Sequence, residues 1–235
     1  MLIVLSPAKT LDYATPHVGE ATTVAQFGDR SAVLIKLLRQ YAGDDLAGMM
    51  RISPALAELN RARFAAWRRT ARYKNAKPAL LAFNGDVYQG LDAMSLGPVT
   101  RAYLQTHLRI LSGLYGVLRP LDLMQPYRLE MGTRLPNPRG DDLNAFWGDS
   151  VTDTLNRVAI EQQTKTLVNL ASDEYFRVVR PARLKIPVIT PVFEDWKNGQ
   201  CKVISFYAKR ARGLMARFAA CHQIIRLPTG CAILI

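Results

Sequence analysis

Between positions 108 and 118 the chain reads LRILSGLYGVL, and the glycines at 113 and 116 restrict its folding more than any other feature. Without a Cβ, a glycine enters positive φ and lets another surface approach its backbone closely. Just upstream, Tyr103, Leu104, His107, Leu108 and Leu111 recur at helical spacing, which predicts a helix from Arg101 to Ser112 with one buried face. Gly113-Leu114-Tyr115-Gly116 then breaks that pattern. Successive amides around such a turn hold an oxyanion without reading what it is attached to. Arg109, Arg119 and Arg128 flank the turn and add charge. Pro120 counts against a second helix starting near Gly116, because it disfavours helical geometry at Arg119. The competing reading is a turn that only packs two elements together.

Charge is what the composition contributes. Lysines and arginines number 31 against 19 acids, a formal net charge of +12, which favours an anionic partner such as nucleic acid, a nucleotide or a membrane surface. The positive charge is clustered. Residues 61–77 carry seven basic residues and no acid, interleaved with Phe64, Trp67 and Tyr73, and residues 201–217 carry five basic residues and again no acid. For the first cluster, the alternative is a solvated face whose arginine stems cover apolar surface. With 49% hydrophobic and 21% charged residues the chain is globular. No run is long enough to span a bilayer, and MLIVLSPAKT lacks the basic leader of a signal peptide, so the expected location is the cytoplasm. Cys201, Cys221 and Cys231 form no CxxC pair, and no metal or cofactor is expected.

Periodicity predicts strands at 1–5, 79–83, 166–171 and 186–193. Helices are expected at 31–41, from Asp44, from Ser53-Pro54, at 150–160 and at 208–220. Asn198-Gly199 signals a β-hairpin. This mixture predicts an α/β fold with a mixed sheet. Loops after strands in such folds gather ligand groups, and Lys9, Asp86, Asp173 and Glu174 follow predicted strands, while Arg128 and Glu130 follow the central turn.

Taken together, SPAKT at 6–10, FNGDVY at 83–88, LRILSGLYGVLRPLDLMQPYRLEMG at 108–132, FWGD at 146–149, NLASDEYF at 169–176 and ISFYAKRARGLMARF at 204–218 closely resemble the YaaA family of bacterial peroxide stress proteins. The resemblance covers residues 1–218 and implies a single-domain α/β fold with a positively charged cleft. It further implies a role in the oxidative stress response that limits intracellular iron and DNA damage. It also implies DNA binding through a helix-hairpin-helix, which would fall at Leu108 to Leu118. Matched residues expected to line the cleft are Lys9, Arg109, Gly113, Tyr115, Gly116 and Arg119, together with Arg128, Lys209, Arg210 and Arg212. Glycine amides and cations would hold phosphates, and Tyr115 would stack on an exposed base. The expected partner is double-stranded or distorted DNA, bound by a monomer. An enzyme acting on a nucleotide or phosphorylated small molecule in the same cleft is the alternative, although the chain has no Walker motif or nucleophile elbow. After Phe218, AACHQIIRLPTGCAILI departs from the family pattern, so 219–235 is read as an atypical tail, truncated or frame-shifted.

Overall fold

A computed structural model describes residues 1–16, 21–197, 200–202 and 204–226. Strands β1 (Leu2–Leu5), β2 (Thr10–Leu11) and β3 (Thr23–Val24) precede helices α1 (Gly28–Leu38), α2 (Gly43–Met50) and α3 (Pro54–Ala66). Next come β4 (Lys77–Pro78), α4 (Ala79–Ala82), β5 (Phe83–Asn84), α5 (Asp86–Leu91) and α6 (Pro98–His107). The central stretch supplies β6 (Leu108–Ser112), β7 (Gly116–Leu118) and β8 (Asp122–Met124), followed by α7 (Leu143–Trp147) and α8 (Ser150–Glu161). The chain continues through β9 (Leu167–Leu170), α9 (Asp173–Phe176), β10 (Val188–Ile189), β11 (Asp195–Lys197), β12 (Gln200–Lys202) and α10 (Ser205–Cys221).

The expected mixed α/β architecture is what forms. The principal sheet has the order β10-β9-β1-β6-β7, with β1 parallel to both neighbours and β7 antiparallel to β6. Every residue of β1, β6 and β9 is buried, which explains their apolar runs: a strand covered on both faces shows no alternation. The chain leaves β1 for β6 on one side and later returns to β9 on the other. The loops after β1 and β9 therefore part at a topological switch point, where open α/β sheets leave a crevice.

Several local signals act as expected. Ser53 caps α3 by accepting from the Leu56 amide at 3.4 Å, with Pro54 in the first turn. Asp142, not read as a cap in the sequence, also caps α7, accepting from the Ala145 amide at 2.7 Å. β11 pairs antiparallel with β12, Trp196 opposite Cys201, although the turn at 198–199 lies outside the described residues. The predicted strand at 79–83 is instead the helical turn α4 between two short strands, and the strand predicted at 186–193 is ordered as β10 only over Val188–Ile189.

The main correction concerns the stretch around the glycines. The helix ends at His107, and Leu108–Ser112 and Gly116–Leu118 are paired strands, with Ile110 opposite Leu118. The element is a β-hairpin and not a helix-hairpin-helix. Leu108 and Leu111 fall at helical spacing, but LRILS is buried on both sides, so the helical period there carried no information about the backbone.

Candidate functional site

The glycine turn is sealed inside the protein. A Cβ on Gly113 would lie 2.2 Å from the Leu129 carbonyl oxygen, and Gly116, at φ +69°, would place one 2.7 Å from the Trp147 ring. Trp147 Nε1 donates to the Gly113 carbonyl at 2.9 Å, Ser112 Oγ accepts from the Tyr115 amide at 2.9 Å, and the Val117 amide donates to the Tyr115 carbonyl. Tyr115 is buried too. Its hydroxyl accepts from Trp67 Nε1 and from the Gln125 amide, both at 3.0 Å, and burial pushes its pKa up to about 12. Arg119 is bound to Asp122 at 2.8 Å, and Arg109 is buried with its Nη1 on three backbone carbonyls. The amides of the turn and the Tyr115 hydroxyl, already paired and buried, do not face a polyanion. Tyr115 stacks edge-to-face on Tyr127 and not on an exposed base.

Other predicted residues converge elsewhere. A cleft of about 480 Å³ lies at the carboxyl ends of β1 and β9, and Lys9, Arg128, Lys209 and Arg212 all line it. Each is delivered by a different route. β1 ends at Leu5 and turns Ser6–Thr10 into the cleft, the segment after β8 brings Arg128, and α10 brings Lys209 and Arg212 from one face of the helix. Of the predicted cations on α10, Arg210 is exposed but lies outside the cleft lining. The position of α10 is set by its crossing with α5. Gly213 approaches so closely that a Cβ would sit 1.8 Å from the Val87 carbonyl oxygen, and one on Gly90 would sit 2.2 Å from the Arg210 carbonyl oxygen.

Carboxylates share the cleft with the cations. Glu130 bridges Lys9 at 2.8 Å and Arg128 at 3.0 Å, while Glu174 accepts from the Gly132 amide at 3.0 Å. Asp86, at the start of α5, completes the acidic lining, so Lys9, Asp86, Arg128, Glu130 and Glu174 are brought together. Burial lowers the Arg212 pKa, and the charge of Asp173, exposed beside the cleft, offsets part of that shift. Arg128 carries the clearest sign of an unmet need: its Nε is buried with no hydrogen-bond partner. A buried donor without an acceptor costs the desolvation of that group.

The floor holds two serines that the sequence reading did not nominate. Ser6 Oγ donates to Ser172 Oγ at 3.2 Å and accepts from the Ser172 amide at 2.8 Å, tying the loops after β1 and β9 together. The signal available in the sequence was their placement, each directly after a buried strand. Tyr127 and Tyr175 also line the cleft, and burial raises the pKa of both and of Tyr88, so all three are neutral hydroxyls at pH 7. Tyr88 donates to the Ser6 carbonyl at 3.0 Å and fixes the first loop.

The 61–77 cluster is largely spent on the fold. Arg61 pairs with Glu58, Arg69 with Asp29, Arg68 donates to the last carbonyls of α3, and buried Lys77 holds Asp12. Among the described residues no three of His, Cys, Asp and Glu are grouped to hold a metal ion, and no helix is long and apolar enough to cross a membrane.

The chain matches the family described as peroxide stress protein YaaA over residues 1–228. It belongs to that family. Among the proteins it is similar to, one from Janthinobacterium sp. (strain Marseille) is 66% identical over 226 residues, covering 96% of this chain and 88% of the relative. One from Ralstonia pickettii (strain 12J) is 61% identical over 224 residues, 95% of this chain and 87% of the relative, and one from Azoarcus sp. (strain BH72) is 58% identical over 228 residues, again 95% and 87%. All three are named UPF0246 proteins.

Proposed function

We propose that this protein serves the peroxide stress response as a DNA-binding protein whose phosphate-holding site is the cleft, not the glycine turn. The observation that carries this reading is the buried, unpartnered Nε of Arg128, in a cleft that also gathers Lys9, Lys209 and Arg212. A phosphodiester oxygen satisfies that donor and neutralises those charges, and such contacts fix position without reading sequence. Glu130, held between Lys9 and Arg128, keeps both cations in place before DNA arrives. A cavity of about 480 Å³ has the size of a small-ligand pocket and excludes a duplex. What enters is therefore one nucleotide of a distorted or unpaired stretch, while flanking phosphates meet exposed cations such as Arg210. One chain is the binding unit. Protection of DNA, and the limitation of iron that the family resemblance implies, follow from this binding and not from holding iron.

Fluorescence anisotropy of a labelled duplex with a central unpaired stretch tests the proposal. Affinity should fall steeply with salt, about 0.9 in log K per log salt for each phosphate neutralised, and should exceed that for the intact duplex. Binding that ignores salt, or that favours the intact duplex, overturns it.

A second reading rests on Asp86, Glu130 and Glu174 standing in the same cleft as Lys9. Carboxylates and a lysine around a phosphate site suit an enzyme acting on a nucleotide or a phosphorylated small molecule. A mononucleotide that binds the cleft tightly and is converted to product would favour it. A mononucleotide that binds weakly and is recovered unchanged returns the cleft to DNA alone.

A further inference from the structure

A second cavity, of about 440 Å³, opens between β7 and α8 and shares no lining residue with the cleft. Three arginines line it, Arg109, Arg119 and Arg157, against two acids, Asp122 and Glu161. Arg119 is matched to Asp122 at 2.8 Å, and Arg157 to Glu161 at 3.1 Å. Arg109 has no carboxylate partner among the described residues and is only 6% exposed. Its Nη1 donates to the carbonyls of Gln105, Thr106 and Leu108, closing the end of α6, but these are neutral acceptors and leave a full charge buried. Buried charges are ordinarily paired. Burial first, then Arg119 and Arg157, draw the Arg109 guanidinium down to about 10 against the pull of Asp122 and Glu161. Gln26 fixes Arg157 at the rim, its Oε1 accepting from Arg157 at 3.0 Å while its Nε2 donates to Thr154 at 3.3 Å. The site is thus built in advance and carries one positive charge in excess.

We propose that this cavity is a second oxyanion site, in which Arg109, Arg119 and Arg157 hold one phosphate group. Planar guanidinium forks suit phosphate oxygens. The group belongs either to a free phosphorylated molecule or to a DNA strand running past the cavity, and the chemistry of the contact is the same. The site is independent of the cleft and stands or falls separately.

The test is calorimetric titration of the full chain with pyrophosphate, in a Lys209→Ala/Arg212→Ala background that mutes the cleft. Pyrophosphate should still bind that background. Adding Arg157→Gln, at an exposed position where the thermal midpoint should stay in place, should weaken it about tenfold, and adding Glu161→Gln instead should strengthen it. The opposite signs separate a ligand site from a helix-end cation with a purely structural role, for which neither change moves the affinity. Failure of pyrophosphate to bind the muted background, or equal affinity in the Arg157→Gln and Glu161→Gln chains, overturns the proposal. Labelled DNA decides the source: a parallel loss in Arg157→Gln assigns the phosphate to the strand, and an unchanged DNA affinity assigns it to a free ligand.

Discussion

Tyr115 and Arg128 show how burial separates residues that look alike as candidates. Tyr115 sits in the most prominent motif, yet its hydroxyl is the acceptor for both Trp67 Nε1 and the Gln125 amide. Tyr115→Phe should therefore lower stability by about 1–3 kcal/mol in denaturant unfolding, because two buried donors lose their acceptor, and should leave DNA affinity unchanged. Arg128 should behave in the opposite way. Its Nε has no partner to lose and its Nη2 gives up only the pair with Glu130, so Arg128→Gln should weaken DNA binding more than it weakens the fold. Asp12 gives a pH signature. The Thr15 hydroxyl and amide, followed by Lys77, hold its carboxyl at about 2, below its ordinary 3.8. A depressed carboxyl contributes stability that is complete above the ordinary value and disappears as pH falls through the folded one. Unfolding midpoints should thus drop between about pH 4 and pH 2, and less so in Asp12→Asn.

At the scale of elements, the crossing of α5 and α10 decides whether the cleft exists, since α5 carries Asp86 and α10 carries Lys209 and Arg212. Gly213→Ala must push the two helices apart, because the added Cβ would meet the Val87 backbone. The loss should reach or exceed the about 1–3 kcal/mol typical of overpacking, read as a fall in unfolding free energy. A midpoint unchanged by Gly213→Ala would show that the crossing is looser than described. Elements were legible in the sequence where local chemistry specifies them. Ser53-Pro54 announced α3, and Val151, Leu155 and Val158 on one face of α8 are buried as their spacing requires. The hairpin of β6 and β7 was not legible, because a strand buried on both faces shows no period and its leucines fell by coincidence at helical spacing. The cleft was partly legible. Lys9 and Arg128 were named from strand ends and motif. Ser6 and Ser172 were passed over because their pairing joins positions 166 residues apart, which only the order of the sheet reveals.

Over the whole molecule, a net charge of +12 supplies long-range attraction to a polyanion, but most individual arginines are already committed to carboxylates or helix-end carbonyls. Affinity should therefore depend on a few cations at the cleft and not on the total. The most direct test is the salt dependence of anisotropy for DNA with an unpaired stretch, compared between the unaltered chain and Lys209→Ala/Arg212→Ala. The account predicts weaker binding and a log K against log salt slope shallower by about 0.7 for each cation removed, the single-strand value. An unchanged slope and affinity in the double variant would contradict it and place the DNA on another face of the protein.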